Sequence, residues 1–325
     1  MAAAPPSLLL SLLEPPAITR TDAAPRPKVW AFLAIVAFLA AQAWARYRWR
    51  IGWSEAWFGV HMAVAYLVAI GILASAHGVA FVRGWSRQTW SVLGVGALSL
   101  CGWWYTGRMD SWRRWFGAWT DPAVALAPLW PFFYFAAMGA FWRLAVPFAV
   151  LGPAFGVRPR HIGLWPLGGA GRSAAFAAIY VGLFAAVLPF VLHAAAAPAF
   201  LERYPLARDI LRPDGTVLAW QFGLYQIAYI GVFVAGESFW RGLLTFGVAR
   251  DVGVYGIALM LVPYVTAHYG KPLPETLGAL AAGSVLGWLA LHHRSVWLGV
   301  GLHYAVALTM DVAALRGLGV RVSWE

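Results

Sequence analysis

The chain has 325 residues, of which 61% are hydrophobic and only 11% are charged, whereas a soluble domain carries about 25% charged residues. This composition excludes an ordinary soluble domain. Together with the apolar runs given below, it predicts an all-α protein, a polytopic membrane helix bundle with about eight or nine transmembrane helices. The formal net charge is +11, and arginine clusters such as Arg46, Arg48 and Arg50 lie between apolar runs. Such clusters indicate contact with anionic membrane lipid and not with nucleic acid.

The N-terminal segment 1–28 contains a short apolar run, Ser7–Leu13, with prolines on both sides. A secretory signal begins with a basic segment and continues with a longer apolar core. Because this run has no basic residue before it, we expect residues 1–28 to form a disordered tail outside the membrane.

Apolar runs that could cross a membrane follow this tail. A span needs about 20 mostly apolar residues, and basic clusters on both sides of the first run favour neither orientation. The polar stretch Glu202–Gly215 places a soft boundary near residue 216, between N-terminal membrane helices of unknown role (29–215) and a C-terminal membrane core (216–325). The predicted runs are Trp30–Ala45, Trp57–Val82, Trp90–Tyr105, Pro122–Phe141, Ser173–Ala196, Leu218–Val248, Val252–Tyr269, Pro274–His292 and Val296–Leu315.

Ionisable residues inside the C-terminal runs are candidate site residues, because charges within a membrane are costly. Glu237 and Arg241 are four residues apart, so they share a helical face and can pair. The pair has two interpretations. It is either a structural ion pair or an arrangement in which Arg241 orients a functional carboxylate.

Two histidines lie on the following runs. His268 comes four residues after Tyr264, beyond a kink expected at Pro263. His303 lies in the last run, and Asp311 follows it on roughly the same helical face. Each histidine alone is typical of an interface or packing residue, but with Glu237 the two can converge inside the bundle.

One carboxylate and two imidazoles allow two kinds of chemistry. Glu237, His268 and His303 could bind zinc or another divalent metal and leave a position open for water. The same three groups could also activate water without any metal, by general base catalysis.

These residues, in their order and spacing, resemble the CPBP family of intramembrane proteases, which includes the CAAX prenyl endopeptidases and the bacteriocin-immunity type. The family pattern is Glu-Glu-x-x-x-Arg, Phe-x-x-x-His and His-x-x-x-Asn on three spans. The corresponding segments here begin at Gly236, Tyr264 and His303.

The resemblance implies a peptidase of the membrane, here of the bacterial cytoplasmic membrane, that hydrolyses a peptide bond of a membrane-associated protein or peptide. It implies Glu237, His268 and His303 as catalytic residues, with Arg241 and Tyr264 in support.

Two departures from the family pattern keep other functions open. Gly236 stands where the family has its first Glu, the general base, and Ala307 stands where it has Asn. A catalytically inactive relative that acts as a membrane scaffold or binding protein is therefore the alternative. A transporter is a third possibility, since it also carries paired charges in the membrane, but no inverted repeat is evident in the sequence.

Overall fold

Helices dominate the computed structural model of the chain, which describes residues 24–51, 54–121, 123–165 and 170–324. Only two three-residue strands occur in these ranges, so the predicted all-α membrane bundle is confirmed. Most of the predicted tail, residues 1–23, lies outside the described ranges. Lys28 directly precedes the first helix, and its backbone N–H donates to the Tyr255 hydroxyl at 2.6 Å.

The N-terminal half consists of seven α-helices and a π-helical stretch, Phe141–Ala145, within the described residues. The α-helices are α1 (Val29–Trp49), α2 (Phe58–His77), α3 (Val79–Arg83), α4 (Arg87–Thr106), α5 (Met109–Phe116), α6 (Trp130–Ala140) and α7 (Val146–Phe155). Short 3-10 turns occupy Glu55–Trp57, Gly117–Trp119, Ala127–Leu129 and Pro159–Ile162.

The C-terminal half contains the remaining helices, a second π-helical stretch, Ser238–Phe246, and the two strands. The elements are α8 (Ala170–Ala194), α9 (Pro198–Leu201), a 3-10 turn (Arg208–Ile210), β1 (Thr216–Leu218), α10 (Ala219–Glu237), α11 (Ala249–Val252), α12 (Tyr255–Thr266), α13 (Leu273–His293), α14 (Trp297–Gly317) and β2 (Arg321–Ser323).

Seven helical segments of the described chain are long and apolar enough to cross a membrane, against the eight or nine predicted. Helix α4 has the length of a span, but polar residues in its first turn, Arg87, Gln88 and Thr89, lower its hydropathy. Helix α12 has only 12 residues. The seven segments are Val29–Trp49, Phe58–His77, Ala127–Phe155, Ala174–Ala194, Ala219–Phe246, Leu273–His293 and Trp297–Gly317.

Two spans differ in extent from the predicted runs. The run Trp57–Val82 is broken at Gly78, whose φ of 87° ends helix α2. The run Pro122–Phe141 instead corresponds to a span from Ala127 to Phe155, because the helix continues through the π-helical stretch. That stretch carries the buried Arg143, so a charge lies inside the span and not at its end.

Helix α12 forms the centre of the bundle. All twelve of its residues are buried, and it packs against α1, α2, α13 and the stretch Ser238–Phe246. A helix of this length is about 18 Å long, which is short of the ~30 Å hydrocarbon layer. Helix α12 is therefore a core helix surrounded by the longer spans.

Helices α10 and α14 pack against each other in opposite directions. Polar contacts join the start of α10 to the end of α14, and the end of α10 to the start of α14. Strand β1, which leads into α10, pairs in parallel with β2, which follows α14. This pairing begins at Thr216, next to the predicted boundary.

Candidate active site

The Glu237 carboxylate joins the two helices that frame the candidate site. Glu237 is the last residue of α10 and is 2% exposed. Its Oε1 atom accepts from Nη1 of Arg241 at 2.7 Å and contacts Nδ1 of His303 at 2.7 Å. The Glu237–Arg241 pair predicted from the sequence is therefore present, and the imidazole of His303 contacts the same carboxylate oxygen.

The close approach of α14 to this carboxylate depends on Gly299. A Cβ atom on Gly299 would collide with Oε2 of Glu237. Gly299 lies one helical turn before His303, so both residues present the same face of α14 to Glu237. The sequence analysis did not assign Gly299 to the site, because its contact with Glu237 is visible only once α10 and α14 are packed.

Tyr264 of α12 connects the ion pair to both histidines. Its ring centre lies 4.7 Å from Cζ of Arg241, which places the guanidinium over the aromatic face. Its hydroxyl lies 3.5 Å from Nε2 of His303, at the outer limit of a hydrogen bond. Tyr264 therefore lies at the Nε2 edge of the His303 ring, which is 24% exposed.

The His268 ring lies in the turn after α12, outside the candidate spans. Its Nδ1 atom is 2.7 Å from the backbone oxygen of Tyr264. Because a carbonyl oxygen only accepts, Nδ1 carries the proton and Nε2 is left as an acceptor. Burial lowers the pKa of His268 well below its usual range, and the positive charge of Lys271 acts in the same direction. The ring is therefore neutral near pH 7.

Four of the five predicted site residues form one continuous set of contacts, and the fifth joins it indirectly. Glu237 contacts both Arg241 and His303, and Tyr264 contacts the same two residues. His268 is linked to the set through Tyr264, against whose ring it packs edge-on with centroids 4.7 Å apart.

Asp311 belongs to a separate cluster. Its Oδ2 atom accepts from the Tyr225 hydroxyl at 2.7 Å and from Nε2 of Gln226 at 2.9 Å. Ala307, on α14 between His303 and Asp311, packs in an apolar cluster with Tyr229. Asp311 thus forms a second polar contact between α10 and α14, apart from the contacts of His303.

The donor atoms at the site do not fit a resident metal as they stand. Among the described residues, no three His, Cys, Asp or Glu side chains are grouped closely enough to hold an ion. The Oε1 atom of Glu237 already contacts Nδ1 of His303, and Nη1 of Arg241 donates a hydrogen bond to the same oxygen. Binding of zinc or another divalent metal stays a prediction of the sequence, and no chemical step is derived through it.

The sequence analysis missed a buried arginine beside the site. Arg143 is 7% exposed, and its Cζ lies 4.0 Å from the ring centre of Trp103 and 5.6 Å from that of Trp240. A Cβ atom on Gly236 would lie 3.9 Å from Nη1 of Arg143. The rule that singled out Glu237, a charge within an apolar run, applies equally to Arg143. The predicted run ended at Phe141, two residues short of it.

Residues 218–309 match a protein-family model described as Rce1-like, type II CAAX prenyl endopeptidase Rce1-like. The matched segment is less than a third of the chain and contains Glu237, Arg241, Tyr264, His268 and His303. It confirms the resemblance that the sequence predicts for the C-terminal third. No curated protein and no solved structure matches the chain.

Proposed function

We propose that this chain, whose residues 218–309 resemble the Rce1-like endopeptidases, is an intramembrane endopeptidase. The observation that carries the proposal is the 2.7 Å contact between the Glu237 carboxylate and Nδ1 of His303, beside the equally close Arg241. A carboxylate that holds one ring nitrogen of a histidine fixes its tautomer and leaves the other nitrogen to exchange protons. The seven candidate spans and the family match support a membrane-embedded protein of this class.

In this proposal Glu237 positions His303, and His303 activates the water. The carboxylate keeps the proton on Nδ1, so Nε2 accepts a proton from the water as its oxygen attacks the substrate carbonyl carbon. When the C–N bond breaks, the imidazolium returns that proton to the amine nitrogen. The products are a free amine and a carboxylic acid.

His268 and Tyr264 complete the proposed chemistry. The neutral His268 ring, with Nε2 as an acceptor, accepts a hydrogen bond from the O–H of the product acid. The Tyr264 hydroxyl, 3.5 Å from Nε2 of His303, donates to the oxygen that becomes negative during attack. The resembled family has Phe at this position and Asn at the position of Ala307, so the tyrosine supplies a donor where the asparagine donor is missing.

The proposed substrate is a membrane-associated protein or peptide. The family description is that of a CAAX prenyl endopeptidase, and we propose prenylated CAAX substrates for this chain on that basis. A cavity of about 390 Å³ lies beside Gly270 and Lys271, two and three residues after His268, and Tyr47 and Arg203 also line it.

The test is cleavage of a farnesylated peptide that ends in a Cys-aliphatic-aliphatic-X sequence. The full chain, purified in lipid nanodiscs, should release the C-terminal tripeptide, which mass spectrometry detects. His303→Gln and Glu237→Gln should lower the rate by about 100-fold or more. The matched control is His193→Ala, which removes an exposed histidine of α8 and should leave the rate unchanged. Full activity in His303→Gln would refute the assignment.

The second candidate function is an inactive relative that binds a partner or supports a membrane complex. Gly236 and Ala307 favour it, because both lack the side chain of the family pattern. The covered carboxylate of Glu237 also favours it, since Oε1 has two donors and Oε2 packs on Gly299. On this hypothesis His303→Gln lowers thermal stability. Neither the native protein nor this variant cleaves the prenylated peptide or a mixture of peptides prepared from membrane proteins.

A further inference from the structure

Arg143 is a buried charged group that the proposed hydrolysis does not use. It lies in the π-helical stretch Phe141–Ala145, inside the candidate span Ala127–Phe155, and is 7% exposed. Within the described ranges no carboxylate pairs with its guanidinium, and Nε is buried without a hydrogen-bond partner. A buried cation without a counter-ion is costly in a membrane, so an anion at this position would stabilise the fold.

Two indole rings hold the guanidinium but do not satisfy its N–H groups. The charge lies over Trp103 at 4.0 Å and Trp240 at 5.6 Å, where the ring faces attract a cation. Guanidinium has five N–H donors, and an indole offers a donor but no hydrogen-bond acceptor atom. The edge of the guanidinium therefore keeps its capacity to donate.

The donors of Arg143 and Trp240 converge on the space beside Gly236. A Cβ atom on Gly236 would lie 3.9 Å from Nη1 of Arg143 and 3.7 Å from Nε1 of Trp240. These are ordinary contact distances, so the absence of a side chain leaves a gap of about one methyl group between the two nitrogens. No acceptor for Nε1 of Trp240 is found in the described part of the chain.

We propose that Arg143, Trp240 and the side-chain-free Gly236 form a binding site for a carboxylate. The guanidinium supplies the charge and one donor, and the indole N–H supplies the second donor. The π-helical stretches that carry Arg143 and Trp240 contact each other directly, and such stretches are frequent at functional sites.

The surroundings define the class of ligand. Arg143 and Gly236 both lie inside candidate spans, so the carboxylate arrives on an otherwise apolar molecule. A hydrophobic peptide C-terminus and a fatty acid both have this chemistry. The site concerns binding and not bond cleavage, and it adjoins the candidate active site through the edge-on contact of Trp240 with Tyr264, whose ring centres lie 5.4 Å apart.

The first test places a carboxylate of the protein itself in the site. Gly236→Asp carries oxygens two bonds beyond the Cβ position, within reach of both nitrogens, and Gly236→Asn has the same shape without the charge. We expect the Asp variant to unfold at least about 2 °C above the Asn variant in nanodiscs. An Asp variant that unfolds at or below the temperature of the Asn variant would overturn the proposal.

The second test adds a ligand to the intact protein. Millimolar N-acetylleucine or hexanoate should raise the unfolding temperature, whereas N-acetylleucinamide and hexanamide should not. The shift should disappear in Gly236→Asp, because the Asp side chain fills the site. This variant keeps Arg143, so the loss of the shift would not come from removal of the buried guanidinium. A response to N-acetylleucine alone assigns a peptide C-terminus, and a response to hexanoate alone assigns a fatty acid. Equal shifts from acid and amide, or a shift retained in Gly236→Asp, would overturn the site.

These measurements are independent of catalysis. Absence of peptide cleavage with an intact acid-specific shift would remove the proposed hydrolysis and keep the carboxylate site. Cleavage that depends on His303, without an acid-specific shift, would keep the proposed hydrolysis and remove the carboxylate site.

Discussion

Gly299 of α14 lies in direct contact with the carboxylate of Glu237 at the end of α10. No Cβ atom fits between them, because it would collide with Oε2. A Cβ atom at Gly299 would move the end of the Glu237 side chain away from the position in which Oε1 contacts Nδ1 of His303. The packing of α14 against α10 and the position of the Glu237 carboxylate therefore depend on each other.

The first prediction concerns this contact. Gly299→Ala should displace the Glu237 side chain and lower the free energy of unfolding by about 1–3 kcal/mol, the usual cost of overpacking a core. The proposed peptidase activity should fall with it. Thermal unfolding in nanodiscs and the peptide assay measure the two effects. Gly301→Ala is the matched control, since nothing lies within 4 Å of its Cβ position. Equal unfolding temperatures for the two variants would contradict the prediction.

The second prediction separates the two interpretations of the Glu237–Arg241 pair. Removal of either partner leaves the other charge buried and should cost about 3–5 kcal/mol. The double variant Glu237→Gln with Arg241→Met leaves no charge, so it should be more stable than either single variant. If the pair also positions His303, the double variant regains stability but not activity. Additive losses in a double-mutant cycle would show that the two side chains do not interact.

The third prediction tests the Tyr264 hydroxyl. Tyr264→Phe keeps the ring that lies under Arg241 and removes only the hydroxyl near His303. Stability should change by less than about 1 kcal/mol, whereas the turnover number should fall about 100-fold, as for the loss of an oxyanion donor. Steady-state kinetics should show the loss in kcat and not in KM. An unchanged kcat would exclude the hydroxyl from the reaction.

The sequence revealed the charges of the site but not the contacts that orient them. Glu237 and Arg241 could be paired because helical spacing alone brings residues four apart together. The contact of Glu237 with His303 joins residues on different helices, and it depends on Gly299, whose role is visible only once α10 and α14 are packed. The centre of the fold shows the same limit. Helix α12 looks like a membrane span by hydropathy, yet the surrounding helices make it a short buried core element.

The fourth prediction concerns pH and follows from the lowered pKa of His268. The unfolded chain has the ordinary histidine pKa of about 6.5, so below that pH the unfolded state binds a proton that the folded state excludes. Stability should therefore be intact above about pH 6.5 and fall as the pH drops toward the folded-state pKa, by about 1.4 kcal/mol for each unit between the two values.

His268→Asn isolates this contribution. The amide can still donate to the Tyr264 carbonyl, and it does not titrate. Unfolding temperatures of both proteins should be compared from pH 7.5 to pH 4.5, where the carboxylates titrate alike in each. The native protein should lose more stability than the variant as the pH falls. Parallel curves would mean that His268 is protonated as easily in the folded as in the unfolded protein, which would contradict the lowered pKa of the ring.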